Sequence, residues 1–93
     1  QRLDNVGFLD AANDAIVAYA KREGSNAIIC VVNVDPHHAQ EGLVQVPYEL
    51  GVPPAFAAED LLDGQTYHWR LGGNYVRLDP GERAGHVLRV NTT

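Results

Sequence analysis

The chain consists of short runs of β-branched, aromatic and other apolar residues separated by turn-forming residues. Residues 15–21 (AIVAYAK) and 27–34 (AIICVVNV) flank the turn-forming residues 23–26 (EGSN), which predicts a β-hairpin. Further short strands are predicted at residues 43–46, 56–62, 65–70, 74–78 and 86–90. Asp63-Gly64 predicts a two-residue type I′ hairpin turn. About seven short strands and no amphipathic helix predict an all-β fold, a compact antiparallel β-sandwich with Greek-key connections.

Residues 65–70 alternate cleanly between two faces. Tyr67 and Trp69 point one way, while His68 and Arg70 point the other, which is typical of a half-buried antiparallel strand. Both rings are therefore predicted to lie in the core rather than on a sugar-binding platform.

Residues 74–78 alternate in the same way. Val76 and Leu78 share the predicted core side, which leaves Tyr75 and Arg77 on the outside. An outward Tyr and Arg on a strand are typical of contact surfaces. Tyr75 and Arg77 are therefore predicted to contact a covalently attached neighbour, or, as the alternative, to form a platform for a sugar ring.

Residues 27–32 are apolar at every position, whereas a strand with one solvent-exposed face alternates apolar and polar residues. A domain of this size has too little mass to cover both sides of such a strand, so a neighbouring domain is expected to cover the second side. The chain also lacks methionine. Both observations favour a fragment of a longer protein.

Residues 1–13 keep neither a strand nor a helix period. They are predicted to form an irregular lead-in, with at most one short helical turn. The folded domain is accordingly expected to comprise residues 14–93.

The composition limits the classes of partner that the chain can bind. The 93 residues are 45% hydrophobic and 20% charged, with a net charge of -5, so a basic surface for nucleic acid or anionic membranes is missing. Cys30 has no second cysteine to pair with and is expected to pack as a small hydrophobe. No apolar stretch approaches the roughly 20 residues that span a bilayer. A soluble, cytoplasmic protein is expected.

Candidate chemistry in the chain is weak. His37 and His38 suggest a metal site, but neighbours in an extended segment point in opposite directions and no cysteine cluster accompanies them, so turn-capping or interface histidines are predicted. The carboxylate pairs Asp60 with Asp63 and Asp35 with Glu41 lie in or beside predicted turns, where solvation explains them. No nucleophile motif or phosphate loop is present, so neither a catalytic residue, a metal nor a cofactor is assigned.

Three phrases, in this order, resemble the C-terminal region of bacterial alpha-1,4-glucan:maltose-1-phosphate maltosyltransferases, members of the alpha-amylase superfamily. They are residues 31–42 (VVNVDPHHAQEG), 60–70 (DLLDGQTYHWR) and 74–80 (NYVRLDP). The resemblance covers residues 15–90. It implies a β-sandwich that follows a catalytic (β/α)8 barrel, with residues 1–13 as the end of the connection.

The resemblance implies that the parent enzyme moves maltosyl units from maltose 1-phosphate to the non-reducing ends of alpha-glucan, with retention through a covalent glycosyl intermediate. Its catalytic carboxylates belong to the barrel, so no catalytic residue is transferred to this chain. The chain is predicted to be a non-catalytic accessory domain that packs on the barrel and stabilises it. The resemblance is also compatible with a homodimeric parent.

The sequence is also compatible with other functions. A stand-alone alpha-glucan-binding module would need a row of exposed aromatic residues, of which Tyr75 is the main candidate and Tyr48 adds little. A small independent hydrolase would need a nucleophile and base that converge. A third alternative keeps the domain role but assigns the parent to another alpha-amylase relative, such as a trehalose synthase. Tyr75, Arg77, His37 and His38 are the candidate residues for contacts with a neighbouring domain or with glucan.

Overall fold

The computed structural model describes residues 6–82 and 85–91, and these form eight β-strands and one 3-10 turn. The strands are β1 Val6–Leu9, β2 Ile16–Glu23, β3 Asn26–Asn33, β4 Gln40–Val46, β5 Ala55–Asp60, β6 Thr66–Arg70, β7 Gly72–Leu78 and β8 Gly85–Asn91; the 3-10 turn is Tyr48–Leu50. Among the described residues, no helix is long and apolar enough to cross a bilayer.

The strands form two antiparallel sheets. The large sheet has the order β1-β2-β3-β8-β5-β6, and the small sheet consists of β4 and β7. β8 lies between β3 and β5, neither of which precedes it directly in the chain. The predicted all-β class and the antiparallel sandwich are confirmed, and all the predicted strands are present with small shifts at their ends.

The strand β1 is a correction to the sequence prediction. Residues 6–9 pair with β2 along the edge of the large sheet, so the irregular lead-in expected over residues 1–13 is wrong there, while residues 1–5 lie outside the described residues. The strand contains only 4 residues and includes Gly7, which is too short for an alternation to be recognised. Phe8 nevertheless points outward and Leu9 inward into the core.

The connection between β5 and β6 also differs from its prediction. A hairpin forms, but Gly64 has φ +77° while Asp63 does not have a positive φ, so the turn is not type I′. The loop is longer than two residues. The Asp60 N–H donates to the Gln65 carbonyl at 2.7 Å, and the Gly64 N–H donates to the Asp60 carbonyl at 2.7 Å.

Polar side chains connect the two sheets at their corners. The buried Asn33 amide donates to the carbonyls of His38 at 3.0 Å and Leu78 at 2.9 Å, which joins β3 to β7. The buried Asn74 amide accepts from the Arg70 N–H at 3.0 Å and donates to the Arg70 carbonyl at 2.8 Å. These hydrogen bonds fix the turn through which the chain passes from β6 in the large sheet to β7 in the small sheet.

The core lies between the sheets and takes inward side chains from both. Trp69 is buried and Tyr67 packs against the core from a half-buried position, so the prediction that both rings face the core is confirmed. The largest fully buried apolar side chains are Ile29, Val31, Val44, Leu50, Leu78, Leu88 and Val90. Dense apolar burial of this kind is the main source of stability in a domain of this size.

Candidate functional site

Tyr75 and Arg77 lie on the outer face of the small sheet, as predicted, while Val76 and Leu78 are buried on its inner face. Tyr75 is 60% exposed and lies opposite the exposed Leu43 on β4. Its hydroxyl donates to the Glu41 carboxylate, and this hydrogen bond raises the pKa of Tyr75. The face therefore combines one exposed apolar pair with charged neighbours, a composition suited to a contact surface.

His37 and His38 lie in the loop between β3 and β4. The Asp35 carboxylate accepts the backbone N–H groups of His37 at 2.9 Å and His38 at 3.2 Å, and the Gln40 amide donates to it at 2.8 Å. The hydrogen bonds from His37, Gln40 and His38 lower the pKa of Asp35 to about 2. The loop geometry is thus set by Asp35, and both imidazoles are exposed.

The described residues do not bring three His, Cys, Asp or Glu side chains together in a group that could hold a metal ion. His38 Nδ1 lies 3.3 Å from Asp35 Oδ2, and the two histidine rings meet edge to face with their centroids 6.4 Å apart.

Asp60 differs from the turn carboxylate that sequence reasoning describes, because its side chain is fully buried on the inner face of β5. His86 Nδ1 lies 2.7 Å from Asp60 Oδ2, and the Leu62 N–H donates to Oδ1 at 3.0 Å. Burial alone would raise the pKa of Asp60, but the hydrogen bonds from His86, Leu62 and the Val87 backbone outweigh it, so the pKa lies below its ordinary value.

The Asp60–His86 pair was not predicted from the sequence, although the alternation of inward and outward residues on β5 and β8 indicates it. Asp60 follows the buried Phe56 and Ala58 at a spacing of two on β5, and His86 precedes the buried Leu88 at the same spacing on β8. A polar residue at an inward position is expected to have a buried partner.

A groove lies beside β7, where residues of the small sheet meet residues of the large sheet. It encloses about 320 Å³ and is lined by residues of β6, β7 and β8 and of the turn after β7. The lining residues are Tyr67, Trp69, Tyr75, Val76, Arg77, Glu82, His86 and Leu88. The structure thus brings Tyr75 and Arg77 to the same groove and leaves His37 and His38 outside it.

The outer face of the large sheet is the second notable surface. Strand register places Phe8, Tyr19, Cys30 and Val87 in one row across β1, β2, β3 and β8. With their neighbours they form what we term the apolar outer face, which consists of Phe8, Val17, Tyr19, Ile28, Cys30, Val32 and Val87. Phe8 is 80% exposed. A continuous apolar surface of this kind is typical of an interaction site.

Two details complete the apolar outer face. The side chain of Cys30, which the sequence predicts to pack as a small hydrophobe, lies half-buried on it rather than between the sheets. A side-chain hydrogen bond with Cys30 raises the pKa of Tyr19. At the margin, Arg89 and Glu59 form an ion pair at 2.6 Å, which separates the apolar surface from the polar outer side of β6.

Comparison with known proteins identifies relatives over nearly the whole chain. Alpha-1,4-glucan:maltose-1-phosphate maltosyltransferase 2 of Streptomyces coelicolor is 42% identical over 92 residues, which is 96% of this chain and 14% of that protein. Maltosyltransferase 1 of the same organism is 40% identical over 93 residues, 97% of this chain and 14% of that protein. The maltosyltransferase of Salinibacter ruber is 39% identical over 93 residues, with the same two coverages.

This chain therefore spans about one seventh of the length of these relatives. A family model described as "GLGE, C-terminal" matches residues 8–90, from β1 to β8. The resemblance carried by the three sequence phrases is thereby confirmed, and the chain belongs to the family of GLGE C-terminal domains.

Proposed function

We propose that the chain is the non-catalytic accessory domain of a cytoplasmic alpha-1,4-glucan:maltose-1-phosphate maltosyltransferase, and that it packs on the catalytic (β/α)8 barrel and stabilises it. The parent enzyme would transfer maltosyl units from maltose 1-phosphate to alpha-glucan, as the names of the relatives state for those proteins. The chain accounts for the C-terminal part of such an enzyme.

The apolar outer face carries this proposal. The outward side chains of β3 are Ile28, Cys30 and Val32, where a free-standing sandwich would present polar groups to water. Removing such a surface from water is favourable in proportion to its apolar area. The rest of the parent chain is the natural cover, because the relatives are about seven times longer than the matched segment.

The position of β1 also supports docking through the apolar outer face. The family match begins in β1, at the edge of the large sheet, and the outward side chain next to that point is Phe8. In a relative with a preceding domain, the polypeptide would enter at this edge. The preceding domain would then be tethered beside the apolar outer face, which lowers the entropic cost of docking there.

The test uses the full-length enzyme with Val32→Asp, which places a charge on the β3 strand of the apolar outer face. Burying an unpaired carboxylate is costly, so the midpoint of thermal inactivation of maltosyl transfer should fall by at least about 5 °C. His68→Asp, on the polar outer side of β6, is the matched control and should have little effect. Equal midpoints for the two variants would refute docking through this face.

A further inference from the structure

We infer that the groove along β7 is a binding site for a neutral saccharide chain. In the enzyme proposed above that saccharide is an alpha-glucan, and the inference to this extent rests on the proposed function. The volume of about 320 Å³ lies at the lower end of the range of small-molecule sites, which suits a short stretch of a glucan chain.

The buried lining residues form the floor of the groove and offer a ligand little surface of their own. Trp69, Val76 and Leu88 belong to the core and also line the groove. Tyr67 stands beside them with its ring edge-on to the His86 imidazole, the two centroids being 5.3 Å apart. The aromatic surface that can contact the C–H face of a pyranose ring is therefore that of the half-buried Tyr67 and the exposed Tyr75.

The exposed lining residues give the groove polar groups of both signs. Arg77 supplies hydrogen-bond donors, and Glu82 supplies only acceptors. Sugar hydroxyls donate and accept at once, so they can use both side chains in the same groove. Because Arg77 and Glu82 line the same groove, it presents charges of both signs and is not built to concentrate one sign of ion.

His86 is held in place before any ligand arrives. The buried Asp60 carboxylate can only accept, so His86 Nδ1 must carry the proton that joins them at 2.7 Å. This leaves Nε2 of the same ring for a partner outside the pair. The Asn74 corner fixes the exit of β7 from β6 in the same way. Pre-ordered side chains lose little entropy on binding, which favours affinity for a weak polar ligand.

The experiment compares acceptors of two lengths in the full-length enzyme. The variant combines Arg77→Ala with Glu82→Ala, both exposed side chains, and Arg70→Ala on the outer side of β6 is the matched control. The readouts are the ratio of kcat/KM for glycogen to kcat/KM for maltotetraose, and the retardation of the enzyme in a native gel that contains glycogen. Loss of two hydrogen bonds should lower the ratio at least about fivefold and reduce retardation, while Arg70→Ala should leave both unchanged.

The remaining outcomes either overturn the inference about the groove or show that it holds independently of the proposed function. Unchanged ratio and retardation in an active variant would overturn the groove assignment and leave the accessory role intact. Equal losses for both acceptors with a lower melting temperature would assign Arg77 to a domain interface and would also overturn it. An enzyme without maltosyl transfer would refute the proposed function, while reduced glycogen retardation would still support the groove. If the double variant does not fold, Glu82→Gln alone should give a smaller reduction of the same sign.

Discussion

His86 Nδ1 and Asp60 Oδ2 lie 2.7 Å apart between two adjacent strands of the large sheet, and the carboxylate is fully buried. The Leu62 N–H donates to the other oxygen of the same carboxylate. The pair therefore joins β5 to β8 and also caps the turn that leads into β6.

Asp60→Ala removes the carboxylate, so the His86 imidazole and the Leu62 N–H both lose their hydrogen-bond partner. We expect a loss of about 3 kcal/mol in the free energy of unfolding, measured by urea denaturation of the chain. His68→Ala, which removes an exposed imidazole on β6, should cost less than about 0.5 kcal/mol. Similar losses in the two variants would contradict the structural role of Asp60.

Two carboxylates should make stability fall in acid. The pKa of Asp35 is lowered to about 2 and that of Asp60 also lies below its ordinary value. A lowered native pKa stabilises the fold above the unfolded value of about 3.9, and this contribution disappears as the pH falls through the native pKa. The urea midpoint should therefore drop between about pH 5 and pH 2.

Variants separate the sources of that acid sensitivity. Asp35→Asn and Asp60→Asn should each have a flatter dependence of the urea midpoint on pH than the parent chain, because the group that takes up the proton is gone. A variant curve parallel to the parent curve over this range would show that the mutated carboxylate has the same pKa in both states.

Asn74→Ala should loosen the corner between β6 and β7. The substitution leaves the part-buried Arg70 N–H and carbonyl without their side-chain partner, so we expect a loss of about 1–3 kcal/mol in unfolding free energy. Amide hydrogen exchange of residues 70–74 should also accelerate relative to β3. Exchange that rises equally throughout the chain would indicate a global effect instead.

Tyr75→Ala tests whether the outer face of the small sheet contacts another part of the parent enzyme. In the chain alone, the loss of one exposed hydrogen bond to Glu41 should cost less than about 1 kcal/mol. In the full-length enzyme, a contact between Tyr75 and another domain predicts a larger loss of thermal stability for the same Tyr75→Ala substitution. Equal losses in the two settings would exclude such a contact.

Local patterns predicted most of the fold, because the alternation in β6 and β7 is clean enough to assign Trp69 to the core and Tyr75 to the surface. The uniform apolarity of β3 indicated that its second side carries apolar residues, and the apolar outer face is the result. β1 was missed because four residues do not establish a period.

The groove could not be predicted in the same way. Tyr67 and His86 are 19 positions apart in the sequence, and they meet only because β8 returns to the large sheet beside β5. The Asp60–His86 contact joins residues 26 positions apart for the same reason. Alternation can assign each of these side chains to the inward face, but it does not state which strand lies next to which.

The central position of β8 in the large sheet has a consequence for the folding of the domain during its synthesis. During translation, β1, β2 and β3 can pair as one unit, and β5 and β6 as another, but residues 85–91 must leave the ribosome before the two units can join. A nascent chain stopped before Gly85 would expose two unsatisfied strand edges, which chaperones or proteases would recognise.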